Sequence, residues 1–549
     1  MFMDSKDLAN LIFPNVKGVE YYEKMYPERE LKEGAQVVRV APSPTGFIHV
    51  GGIFQGLVAK KIAEQTGGIF YVRIEDTDQK RKIENGVEEI LNAYKDYDLY
   101  PDETVGKGNY GPYIQSERMD IYQSYAKMMI EKGLAYPCFC SQEELDKIRE
   151  NQTKAEERTG YYGKWAKCRN MPIDMAIEKI NNGDPYIIRF KSPGNPDKKI
   201  KHKDVIKGNI DMPENDQDIV IIKSDGLPTY HFAHVVDDHL MGTTLVTRSD
   251  EWIASIPLHL QLFYCMGFKT PKYAHTAPLE KNDEGSRRKL SKRKDPEAAV
   301  SYYTTEGIPK EALKEYLMNI ANSNFETWRK QNPDKDMMRD FDFDIKKMGV
   351  SGALFDMIKL LDVSKGVISR FSAEEVYEFT YDWAEKFDNE LKEMLDNKEY
   401  SLKVLGIERG NVKPRKDIAK WSDVKYIISY MYDNKFLPVN IDYEWQKVND
   451  KELIKDILKT YFEKYYDEND DKQTWFDKMK DLAEEKGFAR EVKEFKANPE
   501  NYPGHVGDIS TVIRVAITGR CNTPDLCEIL KVLGKESISK RIDKLVSSI

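Results

Sequence analysis

The sequence predicts an α/β protein: a parallel sheet interrupted by an α+β insertion and followed by an all-α C-terminal region. Three observations predict it. An apolar run, Val37-Val38-Arg39-Val40-Ala41, leads through a Pro/Ser/Gly turn into a helical pattern (Ile53, Leu57, Val58, Ile62). That pattern stops at Gly67-Gly68 before a second strand over Ile69 to Ile74. Strand character pauses between Tyr136 and Gly226 and returns at Thr244-Leu245-Val246-Thr247, which leads through Arg248 into a helix from Trp252 to Met266. Beyond Pro296, apolar residues recur at helical spacing, as in Leu453, Ile454, Ile457, Leu458, Tyr461, Phe462 and Tyr465, or Trp421, Val424, Ile427, Ile428 and Met431. Stripes of this kind are core rather than base-stacking platforms.

With 549 residues the chain exceeds a single core. The pattern divides it into a helical extension (1–36), the first half of the sheet domain (37–133), an inserted domain (134–225), the second half of the sheet domain (226–295), a further domain (296–375) and a helical region (376–549). The first β-α-β unit is right-handed by the crossover rule. It sets Glu75, Asp76, Thr77 and Asp78 at the carboxyl end of the second strand, where open α/β sheets place their ligands.

Composition narrows the classes. Hydrophobic residues are 40% and charged residues 32% of the chain, with no apolar run near membrane-spanning length and no signal-peptide pattern, so a soluble cytoplasmic protein is expected. Six irregularly spaced cysteines read as free thiols. A net charge of −9 argues against bulk affinity for nucleic acid, and neither DNA nor a membrane is an expected partner. Local patches differ from that average: Lys198, Lys199, Lys201, His202, Lys203 and Lys207 are basic, and Asp467, Glu468, Asp470 and Asp471 are acidic.

Two segments carry the chemistry. His49-Val50-Gly51-Gly52 opens a helix directly after a strand, where free N–H groups and the helix dipole favour phosphate and the glycines let a nucleotide approach. Arg287, Arg288, Lys289, Lys292, Arg293 and Lys294 concentrate positive charge around Leu290 and Ser291. One site could hold a triphosphate between them.

At this point the residues resemble a known family. Val38-Arg39-Val40-Ala41-Pro42-Ser43-Pro44-Thr45-Gly46 with His49-Val50-Gly51 is similar to the first signature of class I glutamyl-tRNA synthetases. In the same order follow Phe70 to Asp78, Gly111-Pro112-Tyr113 with Gln115-Ser116-Glu117-Arg118, Lys223 to His231, Val235 to Gly242, Lys289 to Lys294, and Arg514 to Gly519. The resemblance spans about Val37 to Glu536. It implies a split Rossmann-type catalytic domain, an inserted acceptor-end-binding domain, a stem-contact domain and an α-helical anticodon-binding region of bacterial type. It also implies the activity: ATP, with Mg2+, activates L-glutamate, and glutamate passes to tRNA(Glu), the enzyme acting as a monomer.

By the same resemblance, His49, Lys289, Lys292 and Arg293 serve catalysis, with Gly51, Gly52 and Ser291 also at the ATP. Arg39, Ser43, Glu75, Tyr230 and Arg248 line the glutamate pocket. The residue types suit this substrate. Arg can grip a carboxylate through two hydrogen bonds, and Glu75 can take the ammonium; which Arg meets which carboxylate stays open. Trp252 is either pocket wall or core. His234 departs from the family, many of whose members have Asn there, as do Asp362 and Ser364, where many have Trp and Asn. Cys138, Cys140 and Cys168 can supply three zinc ligands, with Tyr161 or Tyr162 to complete them. Asn170, where relatives place a His or Tyr, is a poor ligand, so the set is incomplete and three ordinary thiols are expected. A small-molecule nucleotidyltransferase would have no use for the long helical region.

Overall fold

The structure, a computed structural model, describes residues 4–81, 83–440, 443–445 and 447–549. It forms two compact units, Met1–Tyr302 with Lys314–Asp356, and Tyr303–Leu313 with Met357–Ile549.

In the first unit, short helices α1 (Ser5–Ile12) and α2 (Val19–Met25) precede β1 (Val37–Val40), α3 (Val50–Thr66) and β2 (Ile69–Val72). The strands are fully or nearly buried, as expected of a parallel sheet covered on both faces. Gly67 ends α3 in the left-handed region at φ 64°. The next residue must be glycine for a different reason, since a Cβ on Gly68 would lie 1.9 Å from the Gln36 carbonyl oxygen. The tight turn sets the register Val37↔Ile69 through Val40↔Val72. The second strand is two residues shorter than expected, although Ile74 still bridges Ile114.

Helices α4 (Gly86–Asp96) and α5 (Met119–Glu131) lead to the insertion. There β3 (Ala135–Cys138), β4 (Ile187–Phe190) and β7 (Val220–Ile222) form an antiparallel sheet with helices α6 (Gln142–Lys154) and α7 (Ile173–Asn181). Strands β5 (Lys199–Asp204) and β6 (Gly208–Pro213) form a separate hairpin.

Helix α8 (Tyr230–Leu240) then leads into β8 (Leu245–Ser249), which includes Arg248, and a 3₁₀ turn over Asp250–Ser255 precedes α9 (Ile256–Met266). The helix expected from Trp252 therefore begins four residues later, with Pro257 in its first turn, where a missing N–H costs nothing. With β9 (Lys272–Thr276) the main sheet has the order β2-β1-β8-β9, all parallel. Its strands come from both sides of the insertion, and their carboxyl ends bring Ala41 to Ser43, Arg73 to Asp76, Arg248 and Ser249, and His275 and Thr276 to one edge. A last hairpin, β10 (Leu279–Asp283) and β11 (Ser286–Lys289), with β12 (Ala353–Leu354) beside β10, carries the lysine-rich loop.

The leader before β1 is held down rather than free. The Tyr26 hydroxyl donates to the Gly111 carbonyl at 2.6 Å, and Arg29 pairs with Glu103 at 2.7 Å.

The second unit is helical throughout its described residues, apart from its connections. Both predicted stripes are core: Trp421, Val424, Ile428, Ile454, Ile457, Leu458 and Tyr461 are all buried. The helix Lys451–Thr460 does not run on in α geometry but continues as one π-helical turn over Tyr461–Tyr465, with the Trp475 indole donating to the Tyr461 hydroxyl at 3.1 Å. Ser364 is fully buried and its hydroxyl donates to the Ala419 carbonyl at 2.5 Å, so a small polar residue there ties two segments together.

Candidate active site

At the carboxyl edge of the main sheet lie two cavities of about 530 and 570 Å³. Gly52, Gln55 and Ser249 line both, which makes them compartments of one cleft.

The first compartment contains Arg39, Ser43, Glu75, Tyr230, Arg248 and Trp252, the whole predicted amino-acid set. Trp252 is thus pocket wall, with its ring 4.5 Å from that of Tyr230. The two arginines differ electrostatically. Arg39 pairs with Asp238 at 3.1 Å, and its charge is locally compensated. Among the described residues Arg248 bonds only to neutral groups: His275 Nε2 at 3.0 Å, His259 Nδ1 and Tyr230 Oη at 3.3 Å, and the Trp252 carbonyl at 3.3 Å. Its positive charge remains available.

Beneath the pocket is a buried ionic network. Arg73 reaches Asp238 at 2.7 Å, Asp237 at 3.5 Å and Glu75 at 3.0 Å, while Arg118 reaches Asp237 at 2.8 Å. Gln115 and Tyr122 donate to the remaining Asp237 oxygen at 2.9 and 2.8 Å. Arg39, Arg73 and Arg118 are thereby matched by Glu75, Asp237 and Asp238. This balance is what permits the burial, because an unpaired buried ion costs several kcal/mol. The Glu75 carboxyl is raised by desolvation, with Arg73 and Arg39 opposing that shift. No ion pair joins Arg39 to Glu75; each has a different primary partner. Sequence alone assigns no role to Arg73, Asp237 or Asp238.

His234, the departure from the family pattern, is fully buried. Its Nδ1 lies 3.1 Å from both Arg39 and Asp238, and its Nε2 lies 3.0 Å from the Tyr273 hydroxyl. It braces Arg39 from behind and does not line the cavity.

The second compartment contains His49, Gly51, Gly52, Lys289, Ser291 and Lys292. His49 caps α3. Its Nδ1 accepts from the Gly51 N–H at 2.9 Å, which leaves Nε2–H to donate to the Leu290 carbonyl at 3.2 Å. Burial, then the charges of Lys292 and Lys289, lower its pKa and keep it a neutral donor. The predicted union of the two distant motifs is thus a direct contact. Lys292 donates to the Phe47 carbonyl, and Lys289 pairs with Glu251 at 2.6 Å. Asp295 shapes the loop by accepting from the Ser291 N–H and from both terminal nitrogens of Arg288. Arg293 is exposed and lines neither compartment.

Away from the cleft, the Cys138, Cys140 and Cys168 sulfurs lie within 4.8 Å of one another. Cys140 and Cys168 are 3.7 Å apart, and the Tyr161 hydroxyl is 3.3 Å from both Cys138 and Cys140. Tyr162 turns away and donates to the Arg158 carbonyl at 2.6 Å. Three thiols separated in sequence thus converge with a fourth donor. Tetrahedral coordination at Zn–S distances requires S···S separations of about 3.8 Å, which this cluster approaches.

The comparisons agree with the geometry. Residues 36–359 match the family described as tRNA synthetases class I (E and Q), catalytic domain, and residues 494–546 match an anticodon binding domain. Glutamate–tRNA ligases of Clostridium perfringens and Acetivibrio thermocellus are each 48% identical over 99% of this chain and 100% of their own length. A solved glutamate tRNA ligase from Elizabethkingia meningosepticum, in complex with its amino acid, superposes with a TM-score of 0.75 at 26% identity, covering 93% of this chain and 99% of that one.

The histidines around the pocket give the fold an acid limit. Burial lowers His202, His234, His259 and His275, and takes His231 down to about 4. The folded protein keeps them neutral, whereas the unfolded chain protonates them near 6.5, so their contribution is complete above 6.5 and is lost as pH falls toward 4. Glu75, raised by burial, acts in the opposite sense but is one group against five. Thermal unfolding should show a lower Tm at pH 5 than at pH 7.5; an equal or higher Tm at pH 5 would contradict the buried-neutral assignment.

Proposed function

The chain belongs to the glutamate–tRNA ligase family of class I aminoacyl-tRNA synthetases, and on that premise we propose that its cleft joins L-glutamate to ATP and then to tRNA(Glu). One observation carries the reading: a recess holding Arg39, Glu75 and an uncompensated Arg248 opens directly onto the His49 and Lys292 compartment.

The nucleophile is an α-carboxylate oxygen of glutamate, which must meet the α-phosphorus of ATP at the shared Gly52, Gln55 and Ser249 wall. The side-chain carboxylate then points away from the phosphates, into the arginine-lined recess, and Glu75 takes the ammonium. A carboxyl oxygen–phosphorus bond forms as the bond to pyrophosphate breaks. Negative charge builds on the leaving group and on the phosphorus oxygens, where the α3 N-terminus, the neutral Nε2–H of His49 and the ammonium of Lys292 can meet it, with Lys289 and Arg293 assisting from the same loop. Mg2+ arrives with ATP. In the second step the terminal ribose hydroxyl of the tRNA attacks the activated carbonyl, AMP leaves and the hydroxyl proton is released. Glutamine is rejected because its neutral amide leaves the charge of Arg248 unmatched in a desolvated recess.

Cys138, Cys140, Cys168 and Tyr161 fit a closed zinc site of three sulfurs and one oxygen, which would brace the insertion and take no part in chemistry. The domain roles follow the same reading: the insertion holds the acceptor end and the helical region the anticodon.

Pyrophosphate exchange in the presence of tRNA(Glu) tests the activity. Glutamate should support exchange and glutamine should not; no glutamate-dependent exchange with cognate tRNA would overturn the reading. Glu75→Gln should raise the KM for glutamate at least tenfold while the KM for ATP changes less than about twofold. Equal changes in both would remove Glu75 from the pocket. For the cluster, metal analysis of the purified protein should return one zinc per chain, reduced in Cys140→Ser; a metal-free protein with an unchanged Tm after chelation would mark the cysteines as plain thiols.

A further inference from the structure

We propose that Asp204 and His275 are positioning residues for glutamate: together they fix the guanidinium of Arg248 from behind, His275 from β9 of the main sheet and Asp204 from the inserted hairpin. This rests on the reading of Arg248 as a ligand of a glutamate carboxylate.

The chain of contacts is continuous. Arg248 Nε donates to His275 Nε2 at 3.0 Å, and His275 Nδ1 lies 2.6 Å from Asp204 Oδ2. All three residues are buried. A guanidinium can only donate, so Nε2 must carry the lone pair and the imidazole hydrogen must sit on Nδ1, facing Asp204. Asp204 is itself fixed: its Oδ1 accepts from the Ile206 and Lys207 N–H groups, both at 2.9 Å, and the His275 N–H donates to Oδ2 at 3.2 Å. The arrangement selects one tautomer and one orientation.

An imidazole in this position does what a carboxylate could not. Asp238 beside Arg39 orients a guanidinium and also cancels much of its charge. Neutral His275 orients Arg248 and leaves its charge for the substrate, while the compensating carboxylate stands one ring further back.

Asp204 is the last residue of β5, in the hairpin β5–β6. Lys199, Lys201 and Lys203 of that strand are exposed, and the alternating His202 and Asp204 are buried. The Val205 N–H donates to the Tyr273 carbonyl at 2.8 Å, which docks the hairpin along β9. A segment of the insertion therefore reaches the wall of the amino-acid recess.

The test is steady-state pyrophosphate exchange on the full chain with tRNA(Glu), measuring KM for glutamate and for ATP separately, with Tm as a check on folding. Arg248→Ala is the reference. His275→Ala should raise the KM for glutamate about tenfold or more with the KM for ATP within about twofold, and should add nothing further to Arg248→Ala in the double variant. Asp204→Asn should reproduce this despite its identical shape. Its carbonyl oxygen stays with the Ile206 and Lys207 N–H groups, its amide then donates to Nδ1, and the displaced hydrogen on Nε2 confronts Arg248. His275→Gln should recover to within about threefold, since its carbonyl can accept from Arg248 while its amide donates to Asp204. Should His275→Ala fail to fold, Asp204→Asn and His275→Gln decide the matter. The proposal is overturned if both Asp204→Asn and His275→Ala leave the KM for glutamate unchanged, or if they raise both KM values equally while Arg248→Ala raises that for glutamate alone. If Arg248→Ala itself leaves glutamate unaffected, the pocket assignment falls, and the positioning role falls with it.

Discussion

The structure of the amino-acid recess depends on Asp238 being shared between two buried guanidinium groups. Arg39 leaves the end of β1, Arg73 the end of β2, and both terminate on the same carboxylate of α8 at 3.1 and 2.7 Å. The neighbouring Asp237 receives Arg118, and Arg73 extends to Glu75. Three strand and helix ends are thus locked at one depth by a network whose charges cancel. Removing any one member would leave a buried ion unmatched, at about 3 to 5 kcal/mol. Arg73, Arg118, Asp237 and Asp238 of the compensated network lie behind the cavity lining, Arg39 and Glu75 reach it, and the uncompensated Arg248 stands in its wall. The division between the two arginines of the recess is physical, set by whether a carboxylate pairs with the guanidinium, as Asp238 does with Arg39, or only neutral groups bond it, as at Arg248.

The phosphate side follows a different principle. It is built from backbone and dipole at the start of α3, where His49 occupies the cap position and so spends one ring nitrogen on the Gly51 N–H. That bond settles which nitrogen carries the hydrogen, and burial keeps the ring neutral. The loop carrying Lys292 meets the helix start through the Leu290 carbonyl, which accepts from His49, and through Lys292, which donates to the Phe47 carbonyl. An amino-acid recess with buried arginines beside a loop with exposed cations suits a reaction in which the small acid is held still and the leaving pyrophosphate must depart.

Much of this was legible in the sequence, because local signals carry it. Alternation of apolar strand and helix patterns, glycines at Gly67 and Gly68, and the ordered motifs placed the sheet and most of the pocket. What was not legible depends on contacts that leave no local trace. Asp204 and His275 are 71 residues apart in chain order and read as an ordinary hairpin end and a strand residue. The convergence of Cys138, Cys140 and Cys168 on Tyr161 depends on how a loop returns to β3, and two adjacent tyrosines gave no means of choosing between them. Arg73 looked like any charge at a strand end, and the π turn after Thr460 continues an apolar stripe whose period alone suggests a plain α-helix.

On the proposed reading the arginine recess and the His49 compartment are one bisubstrate site. A non-hydrolysable glutamyl-adenylate analogue, assayed as an inhibitor of glutamate-dependent pyrophosphate exchange with tRNA(Glu) present, tests it most directly. Competition against glutamate and against ATP alike is expected. An analogue competitive with one substrate and noncompetitive with the other would show that the two compartments act separately.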